Sequence, residues 1–190
     1  MIRPLLQVLR LLVISALAGA AWVAHRPQTL PATPPATTAK TDDMLDSLRQ
    51  TAIKRAAPIV ISEDEVNRHL ASTLTSRMKN PFGDWVAFDG ARLDLEENVA
   101  RLFLVWKIKG HLRTVRVDLA ISRDENNFRV ELLRGAYGHL EVPRGMVRPL
   151  YPVLRAVAEA LDPEVRALFQ MTSITIAKDK LVLDPRFPTA

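Results

Sequence analysis

A chain of 190 residues, 48% of them apolar, is long enough for one domain with its own core plus an accessory segment. It has no cysteine, which excludes a disulfide scaffold and fits an exported domain held by its core alone. A pI near 9.9 would suit a nucleic-acid binder, but residues 1–58 carry seven Lys/Arg against three Asp/Glu and residues 59–190 nineteen against eighteen. The folded part is therefore nearly neutral, and no nucleic-acid partner is expected.

Pro4 to Ala24, "PLLQVLRLLVISALAGAAWVA", is apolar apart from Gln7, Arg10 and Ser15. About 20 such residues at a rise of about 1.5 Å cross the hydrocarbon core of a bilayer. Arg3, Arg10 and the amino terminus lie on one side and His25 and Arg26 on the other, a slight bias toward a cytoplasmic N-terminus. A cleaved signal peptide competes, with Arg3 and Arg10 as its n-region and Ala18-Gly19-Ala20 as a small-residue cleavage site. An uncleaved anchor is favoured, because the run continues to Trp22, whose indole suits the far interface. A buried soluble helix is disfavoured by the linker that follows. Residues 1–26 are read as a transmembrane anchor (or signal peptide). Either reading exports the rest, and the anchor places a single-pass protein in the inner (cytoplasmic) membrane with its C-terminal domain in the periplasm or outside.

Residues 27–41, "PQTLPATPPATTAKT", hold four prolines and five threonines without apolar period and predict an extended, semi-rigid spacer. At about 3.1 Å per residue it could hold a domain roughly 45 Å off the membrane. Residues 42–57 follow as an amphipathic helix, with Met44, Leu45, Leu48, Ala52, Ile53 and Ala56 at helical spacing before Pro58, suited to packing on the domain or on a second copy.

Residues 58–190 read as the exported domain. Ser62-Glu63-Asp64-Glu65 has capping-box spacing, and Val66, Leu70 and Leu74 predict a helix from about residue 63 to 77. Asn80-Pro81-Phe82-Gly83 breaks it. Val86/Phe88 and Leu93/Leu95 alternate around Asp89-Gly90, which allows a hairpin or a bulge, and Glu96-Glu97-Asn98 makes the next reversal. In "VARLFLVWKIKGHLRTVRVDLAIS", Leu102, Leu104, Trp106, Ile108 and Leu112 are expected to share one face. After Arg113-Thr114 the phase switches to Val115, Val117, Leu119 and Ile121. Gly110 marks a bend, a bulge or a tight connection between two strands. Arg101, Lys107, Lys109, His111 and Arg113 are expected on the opposite side.

Phe128, Val130 and Leu132 form a further strand, and "GHLEVPRGMVRPLYPVLRAVAEAL" runs from strand to helix through three prolines. Pro149 and Pro152 suit a helix's first turn, where amide groups lack internal partners. Val147, Leu150, Tyr151, Leu154, Val157, Ala158 and Leu161 then form one apolar stripe, with Arg155 and Glu159 off it. Asp162-Pro163 closes that helix, a short helical segment through Phe169 follows, and a last hairpin sets Ile174/Ile176 against Leu181/Leu183. The fold class expected is α+β: an N-terminal transmembrane helix, then a curved antiparallel sheet packed by a long C-terminal amphipathic helix.

No catalytic set, metal site or cofactor is indicated. His25, His69, His111 and His139 lie far apart, so each reads as surface or hydrogen-bonded. The acidic pairs Glu63/Asp64, Glu96/Glu97 and Asp124/Glu125 fall at helix starts and turns, where carboxylates cap amides. There is neither a Gly-x-Ser-x-Gly elbow nor a glycine-rich phosphate loop. Two surfaces are left as candidates. Arg101, Lys107, Lys109 and Arg113 could meet lipid headgroups or an acidic partner, or be the wet face of the sheet. Trp106, Phe128, Val147, Leu150, Tyr151, Leu154, Val157 and Leu161 could line an apolar ligand site, or be ordinary core.

The "ISEDEVNRHLAS" helix, the strands in "ARLDLEENVARLFLVWKIKG", the "GHLEVPRGMV" corner and the closing "ITIAKDKLVL" hairpin resemble the YpmS-like group of membrane-anchored bacterial proteins. More loosely, they resemble the tubular lipid-binding (TULIP-like) half-domains. The resemblance covers about Ile61 to Asp184 and rests on loose motifs of small and apolar residues. It implies a long helix against a strongly curved sheet, with acyl chains held between them. Two functions follow as expectations. One is a non-enzymatic, membrane-anchored module binding lipid or another apolar ligand; the other is an accessory or scaffold subunit of a larger membrane complex, with a fully packed domain.

Overall fold

The computed structural model describes residues 2–31, 42–54, 57–78, 86–124 and 127–186. Helix α1 (Ile2–His25) leads into an α+β domain. Its stretch Leu6–His25, with mean hydropathy 1.8, is long and apolar enough to cross a membrane. Helix α2 (Asp42–Lys54) packs Leu48 into the domain and lies against α5 (Asp162–Phe169), so of its two expected partners it takes the domain.

The main sheet is an antiparallel meander of β2 (Val86–Glu96), β3 (Val99–Ile108), β4 (His111–Asp124), β5 (Asn127–Tyr137) and β6 (Leu140–Val142). Its two-residue turns are cheap because Asn98, Lys109, Gly110 and Gly138 take the positive φ that such connections need. Lys109-Gly110 thus joins two strands, and Asp89-Gly90 is a bulge, where the β2–β3 register slips between Phe88 and Gly90. A second bulge, between Asp118 and Leu119, leaves Leu133 without a facing residue and exposed. Such extra residues bend a strand and raise its twist.

The second sheet is three-stranded, with β8 (Lys180–Asp184) between β1 (Ile59–Ser62) and β7 (Ser173–Ala177). The expected hairpin is present, with Ile174 facing Leu183 and Ile176 facing Leu181. Strand β1 was not foreseen. Ile59-Val60-Ile61 is too short to show a period, and only its pairing with β8 makes it a strand.

Helix α3 (Glu63–Arg77) starts as expected. The Glu65 amide donates to Ser62 Oγ at 3.3 Å, and the Ser62 amide donates to Glu65 Oε2 at 2.9 Å. The Ser62 amide, and after it the Ser62 hydroxyl donating to the same Oε2 at 2.8 Å, hold the Glu65 carboxyl below its ordinary value of 4.5. Ser62→Ala is expected to cost about 1 kcal/mol at neutral pH. A depressed carboxyl contributes stability above its unfolded pKa and loses it as pH falls through the folded one. Thermal melts of wild type and Ser62→Ala should therefore draw together in acid, as Glu65 takes up a proton.

The face of α3 lies along edge strand β2 and satisfies its backbone. Asn67 Nδ2 donates to the Leu93 carbonyl at 2.7 Å, Leu93 N–H donates to Asn67 Oδ1 at 2.6 Å, and Leu95 N–H donates to Glu63 Oε2 at 2.7 Å. The Asp179 amide in the β7–β8 turn donates to the Leu95 carbonyl, and the Asn98 amide donates to the Ile176 carbonyl, which ties the two sheets together. Covered in this way, the Leu93–Leu95 part of the edge offers no template to another strand.

The expected long C-terminal helix is divided into a 3₁₀ segment (Arg144–Leu150) and α4 (Tyr151–Ala160), and the short helical segment expected after it is α5. Pro149 lies in the 3₁₀ segment and Pro152 in the first turn of α4. The division changes which side chains face inward. A 3₁₀ turn holds three residues, so the buried line runs Val147, Leu150, Val153, Val157, and Val153 takes the place expected for Tyr151. These residues form one core cluster with Leu48, Leu70 and Leu74 from the helices and Leu102, Leu104, Trp106, Val115 and Val117 from the sheet.

Candidate functional site

The expected apolar site is for the most part the domain core. Val147, Leu150 and Val157 are buried, Leu154 and Leu161 are half-buried against them, and Trp106 is buried with its ring edge toward Phe88 at 6.3 Å. Packing at the seam is close: a Cβ on Gly135 of β5 would lie 2.7 Å from Val147 Cγ2. Tyr151 departs from the stripe and is 48% exposed, for the helical-phase reason given above. Phe128 faces Arg123 in the β4–β5 register, and its side chain lies outside the described residues. An open groove of about 260 Å³ lies elsewhere, between α2 and β1, lined by Ser47, Gln50, Thr51 and Lys54 together with the apolar Ala57, Pro58 and Ile59.

The cationic row is split by the hairpin register. Ile108 faces His111 across the Lys109-Gly110 turn, so Arg113 faces Trp106 and lies on the sheet side opposite to Arg101 and Lys107, while Leu112 faces Lys107. A two-residue turn restarts the alternation, which a continuous reading through Gly110 misses. Arg101 Nη1 lies 3.2 Å from both Asp94 Oδ2 and Glu96 Oε1, and Lys107 pairs with Asp89. Arg113 Nη1 donates to the His25 carbonyl at 3.2 Å, at the end of α1.

Two polar clusters were not expected. On α3 and α5, His69 Nε2 donates to Glu164 Oε1 at 2.9 Å, both residues being buried, with Thr73 Oγ1 3.4 Å from the same nitrogen and Arg77 Nη1 3.4 Å from the same oxygen. His69 Nδ1 and Glu164 Oε2 have no partner among the described residues. The pair is 95 residues apart in sequence, and only the amphipathic period of α3, which turns His69 inward with Val66 and Leu70, hinted at it. On the other side of the main sheet, buried Asp118 accepts from Arg134 Nε at 2.6 Å and lies 3.0 Å from Arg116 Nε, whose guanidinium also reaches Glu141. Asp118 and Glu164 are buried and each lies beside an arginine, Asp118 bracing β4 against β5 and Glu164 bracing α5 against α3.

Removing one member of the His69–Glu164 pair should cost more than removing both. Glu164→Ala strands a buried imidazole and is expected to lose about 2 kcal/mol in chemical denaturation. His69→Leu with Glu164→Met should lie within about 1 kcal/mol of wild type, because the imidazole and the carboxylate go together and the Thr73 hydroxyl gives up only a 3.4 Å contact.

Comparison of the sequence with family models gives no match, and comparison with curated proteins gives none either. The class that the fold defines is accordingly an α+β domain behind an N-terminal apolar helix.

Proposed function

We propose that the protein is a single-pass, membrane-anchored, non-enzymatic interaction module, an accessory or scaffold subunit whose packed domain is presented outside the inner membrane to a larger membrane complex. The observation that carries this reading is the filled seam between C-terminal helices and sheet. Val147 and Val153 are 0% exposed, and Val147 abuts Gly135. A domain that stores an acyl chain needs that space unoccupied. Tyr151, with its ring at the surface, supports an outward contact in place of a pocket wall. The apolar length of α1 and the Arg3/Arg10 side of it support the anchor and its orientation. The lipid-binding reading draws on the YpmS-like and TULIP-like resemblance, whose motifs are the same small and apolar residues that build the core.

Native mass spectrometry of the full chain released from membranes, with cross-linking before extraction, tests the proposal. The expected result is an apo mass for the chain and a reproducible cross-link from the exported domain to one membrane-complex protein. One lipid species held stoichiometrically, with no cross-linked partner, would reverse the assignment in favour of a lipid carrier.

A further inference from the structure

The last turn of α1 is seated on the end of the main sheet that carries the β3–β4 and β5–β6 turns. His139 N–H donates to the Val23 carbonyl at 3.3 Å, and His139 Nδ1 lies 3.2 Å from the Arg26 carbonyl. Arg113 holds the His25 carbonyl, and Gln28 N–H donates to Thr114 Oγ1 at 2.9 Å. These contacts gather at the end of the sheet where β3 and β4 are joined by Lys109-Gly110, so that turn lies at the same end as the last turn of α1. Residues 28–31 stay with the domain, Gln28, Leu30 and Pro31 being half-buried, so the Pro/Thr stretch does not begin by lifting the sheet off α1.

Magnitudes then place the β3–β4 turn. Trp22, exposed and covered by the Arg26 guanidinium at 5.2 Å, marks an interface level. His25 is about 4.5 Å further along the helix axis, and the headgroup layer is about 5–7 Å deep. Arg113, bonded to His25, lies at the level of the headgroups. The turn beyond it carries Ile108 at 40% and Leu112 at 41% exposure, one on each side of the hairpin. Lys109 and Arg113 lie at this end of the sheet together with the Lys107–Asp89 pair, while Asp94 and Glu96 lie toward the other end and are paired with Arg101.

The geometry points to a membrane-docking surface at the α1 end of the sheet: Ile108 and Leu112 insert at the bilayer interface, while Lys109, Arg113 and Arg26 meet anionic phospholipid headgroups. The inference rests on α1 spanning the membrane. The spacing of apolar tip residues between cations matches an interface in which the outer layer is negative and the inner layer apolar. An acidic protein would complement the cations but would leave Ile108 and Leu112 unexplained.

The chain has no cysteine, so single labels can be introduced without background. Full-length protein carrying Leu112→Cys, Val60→Cys or Leu12→Cys, each with an environment-sensitive fluorophore, is placed in phosphatidylcholine nanodiscs with about a third phosphatidylglycerol, and quenching by acrylamide is measured. Val60 is exposed in the second sheet, not the sheet that holds the end of α1. Docking predicts quenching at position 112 about tenfold slower than at position 60, narrowing to about twofold in pure phosphatidylcholine. Lys109→Asn, which removes a cation while suiting the φ of 50° there, should narrow the difference as well. Quenching at 112 as fast as at 60, with position 12 protected, overturns the docking and leaves the anchor standing. Rapid quenching at position 12 overturns the anchor itself. Protection at 112 that ignores lipid charge overturns the headgroup assignment, and protection found only in native membranes gives the surface to an acidic protein partner and overturns the lipid one.

Discussion

Leu104→Ala is expected to cost the domain about 3 kcal/mol, read as a lower denaturation midpoint at an unchanged denaturant slope. Leu104 is 0% exposed on interior strand β3, with Ala91 facing it from β2 and Val115 from β4. Both of these neighbours are buried, and the backbone around them is fixed by ladders on two sides, so the site cannot collapse to fill the deleted volume. The cost is then the transfer free energy of the removed carbons plus that of a cavity. The size of the loss also bears on function. A seam with room for an acyl chain would already be slack, and the substitution would cost well under about 2 kcal/mol, at the low end for a leucine. A large loss, together with new uptake of a small apolar probe such as benzene by the variant alone, supports the packed module. Uptake by the wild type to the same extent would favour the ligand carrier.

What could be read from the sequence divides by range. Helix α3 was legible to the residue because the signals that start it, Ser62 and Glu65, lie one turn apart and act on their own backbone. The last hairpin and the Glu97-Asn98 reversal were legible for the same reason, and α1 from its length and composition alone. The failures came from a period carried past a local break or from a partner remote in sequence. Arg113 and Leu112 were assigned to the wrong faces because alternation was carried through Gly110, and only the pairing of Ile108 with His111 shows that the count restarts there. Tyr151 was counted inward because an α period was applied across Pro149, where the backbone is 3₁₀. Asn67 drew no expectation, and His69, expected at the surface or hydrogen-bonded, is hydrogen-bonded. Their roles come from the edge of β2 and from Glu164, which no local pattern announces.

The candidate site shows the same division. An apolar stripe looks alike whether it lines a cavity or fills one, since both need Val, Leu and aromatic residues at one spacing. The difference lies in whether the facing strand brings a large or a small residue, and here Gly135 stands across from Val147. Close approach of helix to sheet is thus set by a glycine that the stripe itself does not contain.

The second large effect falls on how α1 joins the domain. Gly138, at φ 53°, would place a Cβ 2.3 Å from the Arg26 carbonyl oxygen and 2.4 Å from that of Ala24. Both obstacles are backbone, so no rotamer change relieves them, and a residue with a side chain also carries about 1 kcal/mol of strain in that left-handed conformation. Gly138→Ala is therefore expected to unseat the end of α1 while the core, which the contact does not enter, loses only about 1–2 kcal/mol. Gly110→Ala is the matched control: its φ of 80° imposes comparable strain, but nothing lies within 4 Å of the added carbon. Spin labels on α1 and on β8 in the full-length chain should give one narrow distance distribution for wild type and for Gly110→Ala. For Gly138→Ala the distribution should be broad, with faster protease cleavage after Arg26. A narrow, unshifted distribution for Gly138→Ala would mean that the junction is held elsewhere, and the helix would then cease to fix which end of the sheet faces the bilayer.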